Sequence, residues 1–80
     1  MNTLEFCQRL ADILDIVEVK PENVLGEFEQ WDSLAVLSVL AMVDSKYRVT
    51  IRANEIRSVV TVGDLAKLVE AKLGEAKQKQ

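Results

Sequence analysis

The stretch Trp31-Asp32-Ser33-Leu34-Ala35-Val36-Leu37-Ser38-Val39-Leu40-Ala41-Met42-Val43 decides the fold. Asp32 and Ser33 are residues that cap free backbone amides, so a helix starts at one or the other. From Leu34 to Val43 only Ser38 is polar, yet this run is about half of what a membrane-spanning helix needs. The segment is therefore a helix that is buried or meets a partner, and it is expected to end near Lys46. On a helical net it carries two apolar stripes. Val36, Val39, Leu40, Val43 and Tyr47 form one, which reads as core. Leu34, Leu37, Ser38, Ala41 and Ser45 form the other, which holds both helix serines, lies beside Asp44 and is expected to face solvent as a docking surface.

Outward from this helix, the chain reads all-α. Leu4, Cys7, Leu10, Ala11, Leu14 and Val17 recur at helical spacing, which predicts a first helix from about Thr3 to Val17. Asn2 and Glu5 form a start signal, and Pro21 disfavours helical geometry at Lys20 before it. The loop from Pro21 to Asp32 carries Val24, Leu25, Phe28 and Trp31 among acids. It is too rich in large apolar residues to be a flexible linker, so it is expected to dock on the helices.

Val49-Thr50-Ile51 alternates like a strand, but so short a run without a partner is an extended connection. Ala53 to Ser58 reads as one or two helical turns with Ile56 inward, and Val59 and Val60 close the junction. Thr61 and Asp64 form a second capping box, and Val62, Leu65, Ala66, Leu68, Val69 and Leu73 give the last helix its apolar face. Gly74 is expected to stop that helix. The expected domain is 1–74, with 75–80 as a polar tail.

The 80 residues suit one small domain, which buries only about 60 to 65% of its unfolded surface. There is no histidine and a single cysteine. That removes Ser-His-Asp and Cys-His catalysis, imidazole metal sites and an intrachain disulfide. A self-sufficient enzyme is not expected, and Cys7 reads as a buried, inert thiol. Without a secretory leader pattern, the expected compartment is the reducing cytoplasm.

The net charge of -3 is unevenly spread. Residues 1–32 hold eight acids and two bases, and residues 33–80 hold five acids and eight bases. Those bases are scattered among acids rather than gathered on one face, which argues against nucleic-acid binding.

Asp32-Ser33-Leu34 at the head of an apolar helix, after an acidic loop, resembles the phosphopantetheine attachment motif of acyl carrier proteins. Alone the tripeptide is weak, because Asp-Ser before a helix is often only a cap. The resemblance extends over nearly the whole chain, through Val19-Lys20-Pro21-Glu22-Asn23-Val24, Val49-Thr50-Ile51, Asn54-Glu55-Ile56 and Thr61-Val62. It implies an acyl-carrier-like four-helix bundle with a short third helix and a long first loop.

It further implies that Ser33 carries a covalent 4′-phosphopantetheine, transferred from coenzyme A by a separate phosphopantetheinyl transferase that uses Mg²⁺. No resident metal is expected. Asp32 would orient the hydroxyl or contribute to metal or transferase contacts during loading. The arm would hold acyl groups as thioesters for fatty-acid, lipid or secondary-metabolite synthesis. Acyl ligase, acyltransferase or ketosynthase enzymes would meet the monomeric carrier at Leu34, Leu37, Ser38, Ala41 and Asp44. An acyl chain would tuck near Leu40, Val43, Ile56 and Val59. Trp31 reads first as a loop anchor and second as a contact for the arm.

Two departures from the family pattern bear on partners. Ala35, Ser38, Ser45 and Lys46 stand where such helices usually carry acids, with Asp44 retained, and Gln30 and Trp31 precede the motif in a shortened loop. A specialised stand-alone carrier with weaker electrostatic steering is expected. Other readings remain open: an aminoacyl or peptidyl carrier, an unmodified helical interaction module and, third, a small DNA-binding helix-turn-helix.

Overall fold

The structure is a computed structural model describing residues 2–78, with side chains through residue 74. Four α-helices follow one another among the described residues: α1 (Thr3–Leu14), α2 (Ser33–Tyr47), α3 (Ala53–Ser58) and α4 (Val62–Gln78). A 3-10 turn, Leu25–Glu27, lies in the long first connection. The all-α class, the short third helix and the long first loop agree with expectation.

α1 starts at Asn2, whose side chain accepts the Glu5 amide at 3.2 Å. It ends earlier than Val17, and Pro21 is not the cause. Asp15 takes a left-handed conformation with φ of 56°, and its amide and that of Ile16 fold back on Ala11 and Asp12 carbonyls. Aspartate tolerates this geometry better than most residues, so the helix is closed one turn before the expected boundary. Val17 is consequently 102% exposed rather than part of the core, and Leu4 is also exposed. Phe6, absent from the expected stripe, is 0% exposed and lies with its ring centroid 6.2 Å from that of Tyr47 on α2.

The core is formed by Phe6, Leu10 and Leu14 of α1, Val36, Val39 and Val43 of α2, Ile56 of α3, and Val62, Leu65 and Val69 of α4. α1 contacts both α2 and α4, while α3 leans on α2. Val49 and Ile51 point inward and Thr50 outward in the α2–α3 connection, as their alternation predicts. Small domains have roughly 0.05–0.15 kcal/mol of stability per residue, or about 4–12 kcal/mol here. One truncated core side chain costing about 2–5 kcal/mol can therefore remove much of it.

The first loop is ordered by specific bonds. The Leu25 amide donates to the Val60 carbonyl at 2.9 Å, the Val62 amide to Asn23 at 2.9 Å, and the Gly63 amide to Pro21 at 2.8 Å. These bonds fasten the loop to the α3–α4 junction. Gly63 is small for a reason: a Cβ there would come 3.2 Å from the Pro21 carbonyl oxygen. Leu25 is buried, and Val24, Phe28 and Trp31 are half-buried. Val60 is the exception at the junction and is exposed, because its backbone rather than its side chain makes the contact.

α4 opens with the expected capping box. The Asp64 amide donates to Thr61 Oγ1 at 3.0 Å, and the Thr61 amide donates to Asp64 Oδ2 at 3.1 Å. Gly74 does not stop the helix, which continues to Gln78. Glycine ends helices by adopting a left-handed conformation, and none of the described glycines has positive φ. Side chains from residue 75 onward lie outside the described residues.

Candidate functional site at the head of α2

Asp32 is the N-cap of α2, with extended backbone, and its Oδ1 accepts the Ala35 amide at 2.9 Å. The Val36 amide donates to the Asp32 carbonyl at 3.0 Å, the first bond of the helical ladder. Ser33 is thus the first helical residue. It is exposed, and its hydroxyl makes no hydrogen bond among the described residues. The amides of Ser33 and Leu34 lack backbone acceptors within the described structure, and the positive end of the helix dipole lies beside them.

The preceding turn holds this head in place. The Trp31 amide donates to Phe28 at 3.1 Å and the Asp32 amide to Gln30 at 3.0 Å. A phosphate ester on Ser33 would sit among free amides with no side chain to displace, so the residues present fit a phosphopantetheine group.

Leu34 and Leu37 are 73% and 61% exposed, and Ser38, Ala41, Asp44 and Ser45 are exposed along the same stripe. The solvent-facing stripe therefore lies where the helical net placed it. Ala35 does not belong there. It is buried beside the core stripe, so its lack of charge follows from packing and says nothing about partner enzymes. The exposed stripe retains Asp44, with Lys46 exposed nearby.

The four residues assigned to an acyl pocket separate into two settings. Ile56 and Val59 line an open cleft of about 310 Å³ whose other walls include Val24, Leu25 and Trp31 of the first loop, with Arg57 at its side. Val43 is fully buried and Leu40 is half-buried against the core, and neither lines this cleft. Arg57 is not among the residues that helical spacing or the motif singles out for this cleft. Its position depends on the backbone bonds that bring the loop to the α3–α4 junction, and nothing in local periodicity encodes them. A second cleft, of about 380 Å³, lies along α1 and includes Leu4, Cys7, Ala11, Val17 and Val19.

Cys7 is buried, and desolvation, followed by the nearby charge of Glu22, pushes its thiol above the ordinary value. It is a poor nucleophile in that state. No cluster of metal-ligating side chains occurs among the described residues.

This helical arrangement, with an exposed serine heading α2 after a long docked loop, is the acyl carrier fold. The holo acyl carrier protein of Geobacter metallireducens, solved by NMR in solution, is similar to it with a TM-score of 0.80 at 24% identity, covering 100% of this chain and 95% of that one. A curated relative, a probable acyl carrier protein of Caulobacter vibrioides, is 34% identical over 53 residues, or 66% of this chain. The match spans 62% of that relative's length. No family model matches the chain. The two likenesses support the resemblance to acyl carrier proteins carried by the sequence motif.

Proposed function

We propose that this protein is an acyl carrier whose Ser33 bears a 4′-phosphopantetheine arm. The observation that carries the proposal is the exposed, unbonded Ser33 hydroxyl at the first position of α2, directly after the Asp32 cap, within this fold. On loading, Ser33 Oγ loses its proton and bonds to the phosphorus of coenzyme A's pantetheine portion, and the adenosine bisphosphate leaves. No side chain among the described residues hydrogen-bonds the Ser33 hydroxyl to draw off its proton. A phosphopantetheinyl transferase with Mg²⁺ must supply that chemistry, and Ser33 is its substrate.

The bound arm supplies a thiol that holds acyl groups as thioesters. The chain's own residues present it: the amides of Ser33 and Leu34 steady the phosphate, Asp32 fixes the helix head, and the docked loop keeps both at the surface. Leu34, Leu37, Ser38, Ala41 and Asp44 form the face on which acyl ligase, acyltransferase or ketosynthase enzymes dock. Delivery on a flexible arm raises the effective concentration of cargo at each partner.

The protein itself performs no catalytic step in this reading. It belongs in a reducing cytoplasm, which keeps the arm's thiol free. Among the described residues no helix is long and apolar enough to cross a membrane. With Asp44 the acid on its docking stripe, the carrier serves dedicated enzymes and is a weak substrate for a general fatty-acid synthase.

The direct test is incubation with coenzyme A, Mg²⁺ and a broad-specificity transferase, followed by intact mass. The mass rises by one phosphopantetheine group in the native chain and stays unchanged in Ser33→Ala. No rise, or a rise in both, overturns the assignment.

A further inference from the structure

The cleft between the first loop and the α3–α4 junction has apolar walls and one charge. Trp31, which lines the cleft, lies two residues before Ser33 in the chain, so their Cα atoms are within about 7 Å of each other. Val24, Leu25 and Trp31 of the first loop line the cleft together with Ile56 of α3 and Val59 just after it. Arg57 is the one ionisable residue of the lining, and it makes no ion pair among the described residues. At about 310 Å³ the volume is at the lower end of ligand-binding pockets, and the cleft stays open to water on one side.

This combination selects among cargoes. A plain alkyl chain would be covered by the apolar walls but would make no use of Arg57, an exposed guanidinium at the edge of the lining. A short polar cargo would make no use of Trp31, Ile56 and Val59. A chain that is apolar along its length and anionic at its far end satisfies both, because guanidinium and carboxylate form paired, charge-assisted hydrogen bonds. The open side keeps the charged end hydrated, which avoids the cost of burying it.

We propose that the cargo of this carrier is a medium-length acyl group whose far end bears a carboxylate, with its methylene chain against Trp31, Ile56 and Val59 and its carboxylate on Arg57. This rests on the carrier reading of Ser33. Arg57 is then a specificity residue that sorts anionic from neutral acyl chains.

The test loads Ser33 from octanoyl coenzyme A and from suberoyl coenzyme A, which match in length and differ in the terminal carboxylate, and confirms each product by mass. Two readouts follow: the rate of thioester cleavage by hydroxylamine, and the emission of Trp31, the chain's one tryptophan. The suberoyl form is expected to be cleaved about threefold to fivefold more slowly than the octanoyl form, the scale of a partly exposed ion pair, with blue-shifted emission. Both differences disappear in Arg57→Gln and largely survive in Arg57→Lys. Equal cleavage and emission for the two cargoes, or a difference that persists in Arg57→Gln, overturns the cargo assignment while leaving the carrier intact. Failure of Ser33 to load from either donor, or from coenzyme A itself, overturns the carrier reading and this inference with it.

Discussion

The Ala35 amide donates to the Asp32 carboxylate at 2.9 Å, so one carboxylate oxygen is committed to holding the helix whose first residue is Ser33. The other oxygen has no hydrogen-bonding partner among the described residues. Two substitutions separate the cap from the charge. Asp32→Ala removes the cap and costs about 1 kcal/mol, whereas Asp32→Asn keeps an equivalent cap and leaves stability nearly unchanged. Both are expected to slow phosphopantetheine transfer, because each removes the carboxylate charge beside Ser33. Urea unfolding and a timed loading assay check the pair, and full-speed loading of Asp32→Asn would limit Asp32 to capping.

Leu37 is exposed on the α2 stripe and contributes little to the core. Leu37→Gln is expected to shift stability by no more than about 0.5 kcal/mol. Its expected effect is on delivery: kcat/KM of an acylating or condensing enzyme falls about tenfold, a loss of about 1.4 kcal/mol in docking. Unchanged kcat/KM would move the docking face elsewhere.

Acid should weaken the fold through two carboxylates. Lys72, at 2.9 Å, and then the Arg52 amide hold Glu55 below its ordinary 4.5. The Thr61 amide, with the Thr61 hydroxyl, holds Asp64 below its ordinary 3.8. A depressed folded-state pKa means that the folded chain binds fewer protons than the unfolded one. The stabilisation is complete above the ordinary values and is lost as pH falls through the depressed ones. Glu55→Gln and Asp64→Asn should each flatten the acid limb of stability against pH, measured by denaturant unfolding, without altering the slope near neutrality. A limb unchanged in both would contradict the assignment.

The raised pKa and burial of Cys7 give a thiol count that reports modification. Native unmodified protein should react slowly with a disulfide reagent, and urea-unfolded protein should show one thiol per chain. Native protein carrying the arm should show one fast thiol, from the arm alone. A fast thiol in the unmodified native protein would mean that Cys7 is accessible.

Phe6 and Val17 test where α1 places its apolar face. Phe6→Ala, at a fully buried position, should cost about 3–5 kcal/mol, a large part of the stability available to a domain of this size. Val17→Ser, beyond the helix end, should stay within about 0.5 kcal/mol. Comparable losses would return Val17 to the core.

The same two residues show what the sequence encodes and what it leaves to tertiary structure. Helical spacing was enough to separate Val36, Val39 and Val43 from Leu34 and Leu37, because α2 packs one face throughout its length. It misjudged α1, where the left-handed turn at Asp15 cuts the pattern short and Phe6, rather than Leu4, turns inward. Caps at Asn2, Asp32 and Thr61 were legible because each bond spans three residues. Gly74 was misleading, since a glycine continues a helix when its φ stays negative. At the site, Ser33 and Asp32 could be found from a contiguous motif. The setting of Arg57 could not, because it is made by bonds between Leu25 and Val60 and between Asn23 and Val62, far apart in the chain.

The central claim concerns one oxygen atom, Ser33 Oγ, and the intact mass of the protein isolated from its own host tests it most directly. A carrier loaded at Ser33 has a mass above that of the 80-residue chain by one phosphopantetheine group, with or without an acyl group, and fragmentation places it on the peptide containing Ser33. Protein recovered at the mass of the bare chain, from cells that produce an active phosphopantetheinyl transferase, would contradict it.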